Sequence, residues 1–325
     1  MSLLPWMMMA AGAATVDYVN PLPQPGDADY AAKPRHHFRF LMENDSAFGS
    51  DCNYSHATRF DYAQNLSKNP AHALGLSFTQ NIYTPDDHTH GAVHGQHPYA
   101  GHMALGVAHL YTGEQVGSSV EFQLGTTGKP SLAFDAQDLV HKTCGLARWE
   151  GWNDQIPAEM TFQLTARQDY RLPWLEFTTP GGLQMDAACF TREELGTVSI
   201  AAETGVYVRF GSNLPDSMQM SSNHAGDFAL GLLRKPEYDS AATSWYVLTG
   251  ASVKYVARDL FIDGGVFHDF ERTCGRMPWV SEFQLGFGVR HRGVDYYAGM
   301  VARSRNFRSQ EDDTVFATFN FAFHW

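Results

Sequence analysis

Four polar side chains carry the chemistry this sequence is best equipped to do. Asn44 and Asp45 stand together in HFRFLMENDSAFG, Ser55 follows in NYSHAT, and His141 lies in DAQDLVHKTCGLARWEGWNDQ, four residues after Gln137. An imidazole near neutral pH accepts a proton from water. Amide and carboxylate oxygens are ligands for a hard cation such as calcium, and a carboxylate can instead orient an imidazole; the sequence leaves both roles open for Asp45. A proton acceptor, a hydroxyl and oxygen ligands for a cation are parts that general hydrolytic chemistry uses. Ser55 is the lesser candidate as a nucleophile, since it lies in no Gly-x-Ser-x-Gly elbow. Each residue also has a plain reading: Asn and Asp form turns, and a rim hydroxyl or solvated histidine is common.

The elements that must position them are strands. Apolar and polar residues alternate in segments near 37–45, 54–64, 74–83, 99–110, 118–127, 159–170, 172–180, 197–211, 244–257, 259–268, 280–291, 294–305 and 314–325. Each is about as long as a tilted strand crossing a bilayer. In TVFATFNFAFHW, Val315, Ala317, Phe319, Phe321, Phe323 and Trp325 share one face, and Phe316, Thr318, Asn320, Ala322 and His324 the other. In SEFQLGFGVRHRG, Phe283, Leu285, Phe287 and Val289 oppose Gln284, Gly286, Gly288 and Arg290. A greasy face against a polar one predicts an all-β transmembrane barrel with a polar lumen. Bacterial barrels have even strand numbers, so twelve is expected, with 172–180 the weakest segment because Pro180-Gly181-Gly182 breaks it. No stretch after the N-terminal segment approaches the ~18 apolar residues of a membrane helix.

Residues 1–15 resemble a shortened secretory signal ending in small residues, residues 16–36 a proline-rich linker, and 37–325 one barrel domain. The formal net charge is −12, which disfavours nucleic acid as a partner. Cys52, Cys144, Cys189 and Cys274 include no CxxC pair, so a zinc ribbon is excluded. A Cys52–Cys144 bridge would tie the first loop to the His141 region.

One interval, 128–158, is too long for a hairpin. Ala133 to Gly145 has helical spacing, with Gln137, His141 and Cys144 on one face, Asp135 placed to cap its start and Gly145 its end. In a barrel with periplasmic termini, loops 46–53, 84–98 and 128–158 share the extracellular rim. They carry Asn44-Asp45 and Ser55, the run HTHGAVHGQH (His88 to His97), and His141. Arg59, Lys142 and Arg148 are candidates for phosphate contact. Tyr99, Trp149 and Trp152 suit an aromatic belt, loop packing or an acyl groove.

ENDSAFGSDCNYSHATRF, YTPDD, HPYAG, DAQDLVHKTCGLARWEGWNDQI and YVARDLFIDGGVF, in this order, resemble the outer-membrane lipid A 3′-O-deacylase family over about residues 37–325. The resemblance implies a twelve-stranded barrel and calcium-dependent removal of the 3′ acyloxyacyl group of lipid A at the outer-leaflet end. It implies catalytic roles for Asn44, Asp45, Ser55 and His141, substrate contacts from Gln137, Lys142 and Arg148, and calcium at Asp45. Ser55 and Ala57 stand where the family pattern has Thr and Gly, and the second loop, 84–98, holds histidines but no Lys. The expected partners are lipopolysaccharide and outer-membrane lipids, with a monomeric chain. An outer-membrane phospholipase, or a non-catalytic barrel such as a porin or binding protein, is the alternative.

Overall fold

Twelve antiparallel strands close on themselves in the computed structural model, which describes residues 36–49, 52–66, 69–87, 93–215, 217–218, 233–234, 242–270 and 272–324. They are β1 (His36–Asn44), β2 (His56–Leu66), β3 (Asn69–Tyr83), β4 (Ala100–Tyr111), β5 (Val116–Thr127), β6 (Met160–Arg171), β7 (Leu183–Gly196), β8 (Ser199–Ser212), β9 (Ser244–Asp259), β10 (Trp279–His291), β11 (Val294–Arg303) and β12 (Thr314–His324). Each pairs with its sequence neighbours, and β1 pairs with β12, Phe40 opposite Phe321. No strand edge is left open, which is the condition for a sheet in hydrocarbon. No helix among the described residues is long and apolar enough to cross a membrane. The described chain ends lie at the same end of the barrel, called here the terminal end; the longer loops lie mainly at the other.

Alternation decides which face each residue takes. Leu74, Leu76, Leu105, Val107, Phe283 and Phe323 are exposed on the outer wall. Inside, the charged residues are buried and paired. Arg39 donates to Asp61 at 2.7 Å, and Arg59 bridges Asp61 at 2.8 Å and Glu121 at 2.9 Å. Further round, Arg167 meets Asp169, Arg209 meets Asp186, and Lys254 meets Glu194. Arg59 is therefore a lumen residue, fully buried, and is corrected from a phosphate contact to a structural ion-pair partner. It shares the inward parity of Asp61 and Ala63.

Apolar stoppers sit above and below this charged middle. At the loop end, Leu260 and Phe261 of α2 (Leu260–Asp263) pack with Tyr54, Tyr83, Val301 and Phe316. At the terminal end, Leu233 packs on the inward residues Ala188, Phe190 and Tyr207. The loops interlock above α2: Gly95 N–H donates to Thr273 O at 2.7 Å, and Arg308 N–H to Gly275 O at 2.8 Å. The Glu159 carboxylate accepts three successive backbone N–H groups, from Val266, Phe267 and His268, at 3.1–3.2 Å.

Two expected strands are corrected. Residues 259–268 form α2 and a loop, because Leu260, Phe261 and Ile262 are buried in the mouth instead of lying on the wall. Residues 172–180 form a turn on Pro173 with only a two-residue strand, Phe177–Thr178. The twelfth strand is β7, whose outward apolar run of Leu183, Met185, Ala187 and Cys189 is broken at Thr191 and Glu193. Its inward face holds Asp186, Arg192 and Glu194, and its outward face includes Cys189 and Glu193. The signal segment, the linker through residue 35, His88, His90 and Trp325 lie outside the described residues, and His36, expected to end the linker, opens β1.

Removing one member of the lumen network leaves charge buried without its counterpart, which costs about 3–5 kcal/mol. Asp61→Ala, facing both Arg39 and Arg59, is expected to lower stability by about that amount in urea unfolding from lipid vesicles. His97 is sandwiched by Tyr83, ring centroids 5.1 Å apart, and donates from Nδ1 to Pro98 O. Burial lowers its pKa from 6.5 to about 4. The folded state resists protonation that the unfolded chain accepts, so the penalty grows as pH falls below about 6.5 and is complete below about 4. Limited proteolysis of the loop end should therefore be faster at pH 5 than at pH 7.5, and His97→Phe should flatten that difference.

Candidate active site

Register lays out the platform. Asn44 pairs with His56, His56 with Ile82, and Ile82 with Gly101, so these four form one row across β1 to β4. They carry the parity of the outer wall, not of the lumen. Asn44 Nδ2 donates to Ser55 O at 3.1 Å, and Asn44 Oδ1 accepts from Ser46 N–H at 2.9 Å. Asp45 is buried, and its Oδ2 accepts from Cys52 N–H at 2.8 Å. The loop between is pinned to β3: Ser55 N–H donates to Ile82 O, Asn53 N–H to Thr84 O, and Ser55 Oγ bonds Thr84 Oγ1 at 2.5 Å. Asn53 takes a φ of 65°, which its short amide side chain tolerates. On the lumen side Tyr54 donates to Glu43 Oε2 at 2.5 Å, with the Arg303 guanidinium over its ring.

The second element is α1 (Ala133–Cys144). Its start lies against the outer wall at Gly101, where a Cβ would come within 2.3 Å of Ala133 Cβ; only glycine admits the helix this close. Gln80 Nε2 holds the preceding turn through Ser131 O at 2.7 Å. Ala133, Gln137 and His141 form the buried face. Gln137 Oε1 accepts from Trp152 Nε1 at 2.7 Å, and Trp152 lies 5.0 Å from Tyr99. The His141 ring stands edge-on to Trp149 at 5.1 Å. Its Nδ1 lies 2.6 Å from Ala147 O. A carbonyl only accepts, so Nδ1 carries the hydrogen and the neutral ring keeps its lone pair on Nε2. Ala147 reaches His141 because Gly145 turns the chain at φ 69°, as expected of a left-handed helix end.

Several expectations change here. The helix N-cap is Leu132, with no side-chain cap bond, so Asp135 is a first-turn residue instead. Ala147 O, not Asp45, engages the imidazole Nδ1. Tyr99, Trp149 and Trp152 are loop packing: with Ile82 and Ala133 they form one buried cluster. Cys144 is exposed, and none of the four cysteines is in a disulfide. Lys142 and Arg148 both pair with Asp138, at 2.6 and 3.1 Å, with their side chains well exposed. Lys142, then Arg148, holds the Asp138 carboxyl below the usual range.

The predicted residues thus fall into two groups. Asn44, Asp45 and Ser55 join Thr84 at the β1–β2–β3 corner; Gln137 and His141 join the two tryptophans on α1. Ile82 links them, pairing with His56 in the first and packing into the tryptophan cluster of the second. His56, Thr84, the Ala147 carbonyl and the Glu43–Tyr54 pair were not singled out from sequence. All lie inside the quoted motifs, Thr84 in YTPDD itself, but nothing in their residue types marked them out from their neighbours. Among the described residues no group of three or more His, Cys, Asp or Glu is arranged to hold a metal. Asn44 and Asp45 with loop carbonyls offer an oxygen-only donor set, which suits a hard cation in chemistry.

The family model described as outer membrane protein LpxR matches residues 4–325. The chain belongs to the LpxR family. It is accordingly a bacterial outer-membrane protein. LpxR from Salmonella typhimurium superposes with a TM-score of 0.72 at 15% identity, covering 89% of this chain and 100% of that one. The β domain of the Bordetella autotransporter BrkA gives 0.43 at 9% identity, covering 90% and 100%. No single curated sequence matches significantly. The match to the Salmonella LpxR rests on the barrel, whose twelve strands this LpxR-family chain closes at β1–β12. A methyl at Gly101 would push α1 off the wall. Gly101→Ala is expected to lower activity about tenfold or more, while the barrel keeps its heat-modifiable migration on gels.

Proposed function

We propose that this chain is a lipid A 3′-O-deacylase, an ester hydrolase working at the extracellular leaflet. What supports the reading is an oriented imidazole on a loop helix seated against the outside of the barrel, with Ile82 linking its tryptophan cluster to the strand row that bears Asn44. A lumen filled by paired charges and stopped at both ends gives a porin no support.

In this reading His141 Nε2 takes a proton from a water molecule as that water adds to the ester carbonyl carbon. Collapse of the tetrahedral adduct breaks the bond to the sugar 3′ oxygen, and the proton passes to that leaving oxygen. The products are a free acyloxyacyl acid and a 3′ hydroxyl. Ala147 O holds the tautomer that keeps Nε2 basic. Ser55 Oγ is committed to Thr84 Oγ1 and buried, which favours water over serine as nucleophile. Calcium, when bound through Asn44, Asp45 and loop carbonyls, supplies positive charge against the oxyanion. Gln137 keeps α1 in place through Trp152. Lys142 and Arg148, exposed beside the helix, are suited to lipid phosphates.

Mass spectrometry of lipid A from a Gram-negative host expressing the chain tests this directly. Loss of the 3′ acyloxyacyl group is expected, abolished by chelator, and reduced about 10²–10⁴-fold in His141→Ala. Lysophospholipid with intact lipid A would instead indicate a phospholipase.

A further inference from the structure

We infer that α1 lies in the plane of the membrane, with an apolar stripe immersed in the hydrocarbon of the surrounding leaflet. A helix on a water-facing loop buries its apolar residues and exposes its polar ones. This one buries Ala133 and packs Phe134 and Ala136 on the tryptophan cluster, yet leaves its two largest aliphatic side chains outside. Gln137 and His141 are turned onto the barrel, while Leu139 and Val140 are 66% and 55% exposed. Leu139, Val140 and Thr143 share one exposed side of the helix, and Ala136, partly buried on the tryptophan cluster, lies at its N-terminal end. Asp135, Asp138 and Lys142 occupy the flank beside it, the division seen in helices that lie at a membrane surface.

The flanking residues agree. Leu132 and Leu146, just outside the two ends of α1, are also more than half exposed. Leu132 holds a φ of 56°, a left-handed conformation that glycine or asparagine takes more easily. An exposed leucine in an unfavourable backbone setting points to a site that needs an apolar side chain.

The occupant follows from continuity. Leu105 and Val107 of β4, and Leu74 and Leu76 of β3, belong to the greasy outer wall. Gly101, on which α1 sits, is four residues along β4 from Leu105, roughly 13 Å at the usual strand rise. The stripe therefore extends the lipid-facing band around the outside of α1. His141 is two residues from Leu139, about 200° around the helix. If the reaction proposed above is right, a lipid ester reaches the imidazole sideways from the leaflet.

Nitroxide accessibility tests the immersion without using activity. In a chain with all four cysteines changed to Ser, reconstituted in dioleoyl phosphatidylcholine vesicles, labels are placed on Leu139→Cys, Val140→Cys, Lys142→Cys and Leu105→Cys. Labels at 139 and 140 should collide several-fold more often with oxygen than with a water-soluble nickel chelate, as at 105, and 142 should show the opposite. Chelate access at 139 and 140 equal to that at 142 would overturn the inference. So would loss of access to both reagents, which would mean that a second copy covers the stripe. If the cysteine-free chain does not fold, Leu139→Trp in the native background gives the same answer. Its added fluorescence must be quenched by acyl-brominated lipid, and unquenched fluorescence refutes immersion.

Discussion

Hydrocarbon offers no partner to a peptide N–H or C=O, and the closed ladder of twelve strands is the answer this chain gives to that constraint. Everything else is arranged around it. Once the ladder closes at β1–β12, each residue has a fixed side. Odd positions of β1, such as Arg39, Leu41 and Glu43, turn inward, and even positions, such as Phe38, Phe40 and Met42, turn outward. The wall becomes apolar and the interior must take up the charge.

The interior does so by pairing guanidinium with carboxylate in tiers, so that desolvation is offset by nearby opposite charge and by hydrogen bonds. The barrel then acts as a rigid post. Its useful surface is the outside of the rim, where the row Asn44–His56–Ile82–Gly101 gives a flat base for two loops. The first loop is stapled from both sides, by Glu43–Tyr54 within and Ser55–Thr84 at the corner. The third is seated by the missing side chain at Gly101. Precision at the candidate site comes from strands, and the loops only span between them.

Much of this was legible from residues. β10 and β12 showed their faces plainly because one face is apolar along most of their length while the polar residues gather on the other. α1 was legible because Gln137 and His141 are one turn apart and Gly145 ends the helix. β7 was not, since Thr191 and Glu193 break its outward apolar run while Ala188 and Phe190 put apolar residues on the inward face as well. Residues 259–268 misled because Leu260, Phe261 and Ile262 are apolar for a different reason: they stop the mouth. Of the candidate site, Asn44, Asp45, Ser55 and His141 could be named, but not what each touches. The partner of the imidazole is a backbone carbonyl, and such a group leaves no trace in residue type.

The Glu159 carboxylate adds an order of events. It ends the loop that carries α1, and it is gripped by backbone N–H groups 107 to 109 residues further along the chain. Contacts so distant in sequence form late, after the intervening β-structure has come together. The far end of the loop that carries α1 is thus secured only in a barrel that is already nearly finished. During assembly a half-made chain can already seat the helix against β3 and β4, while the end of its loop stays untied until the last strands arrive.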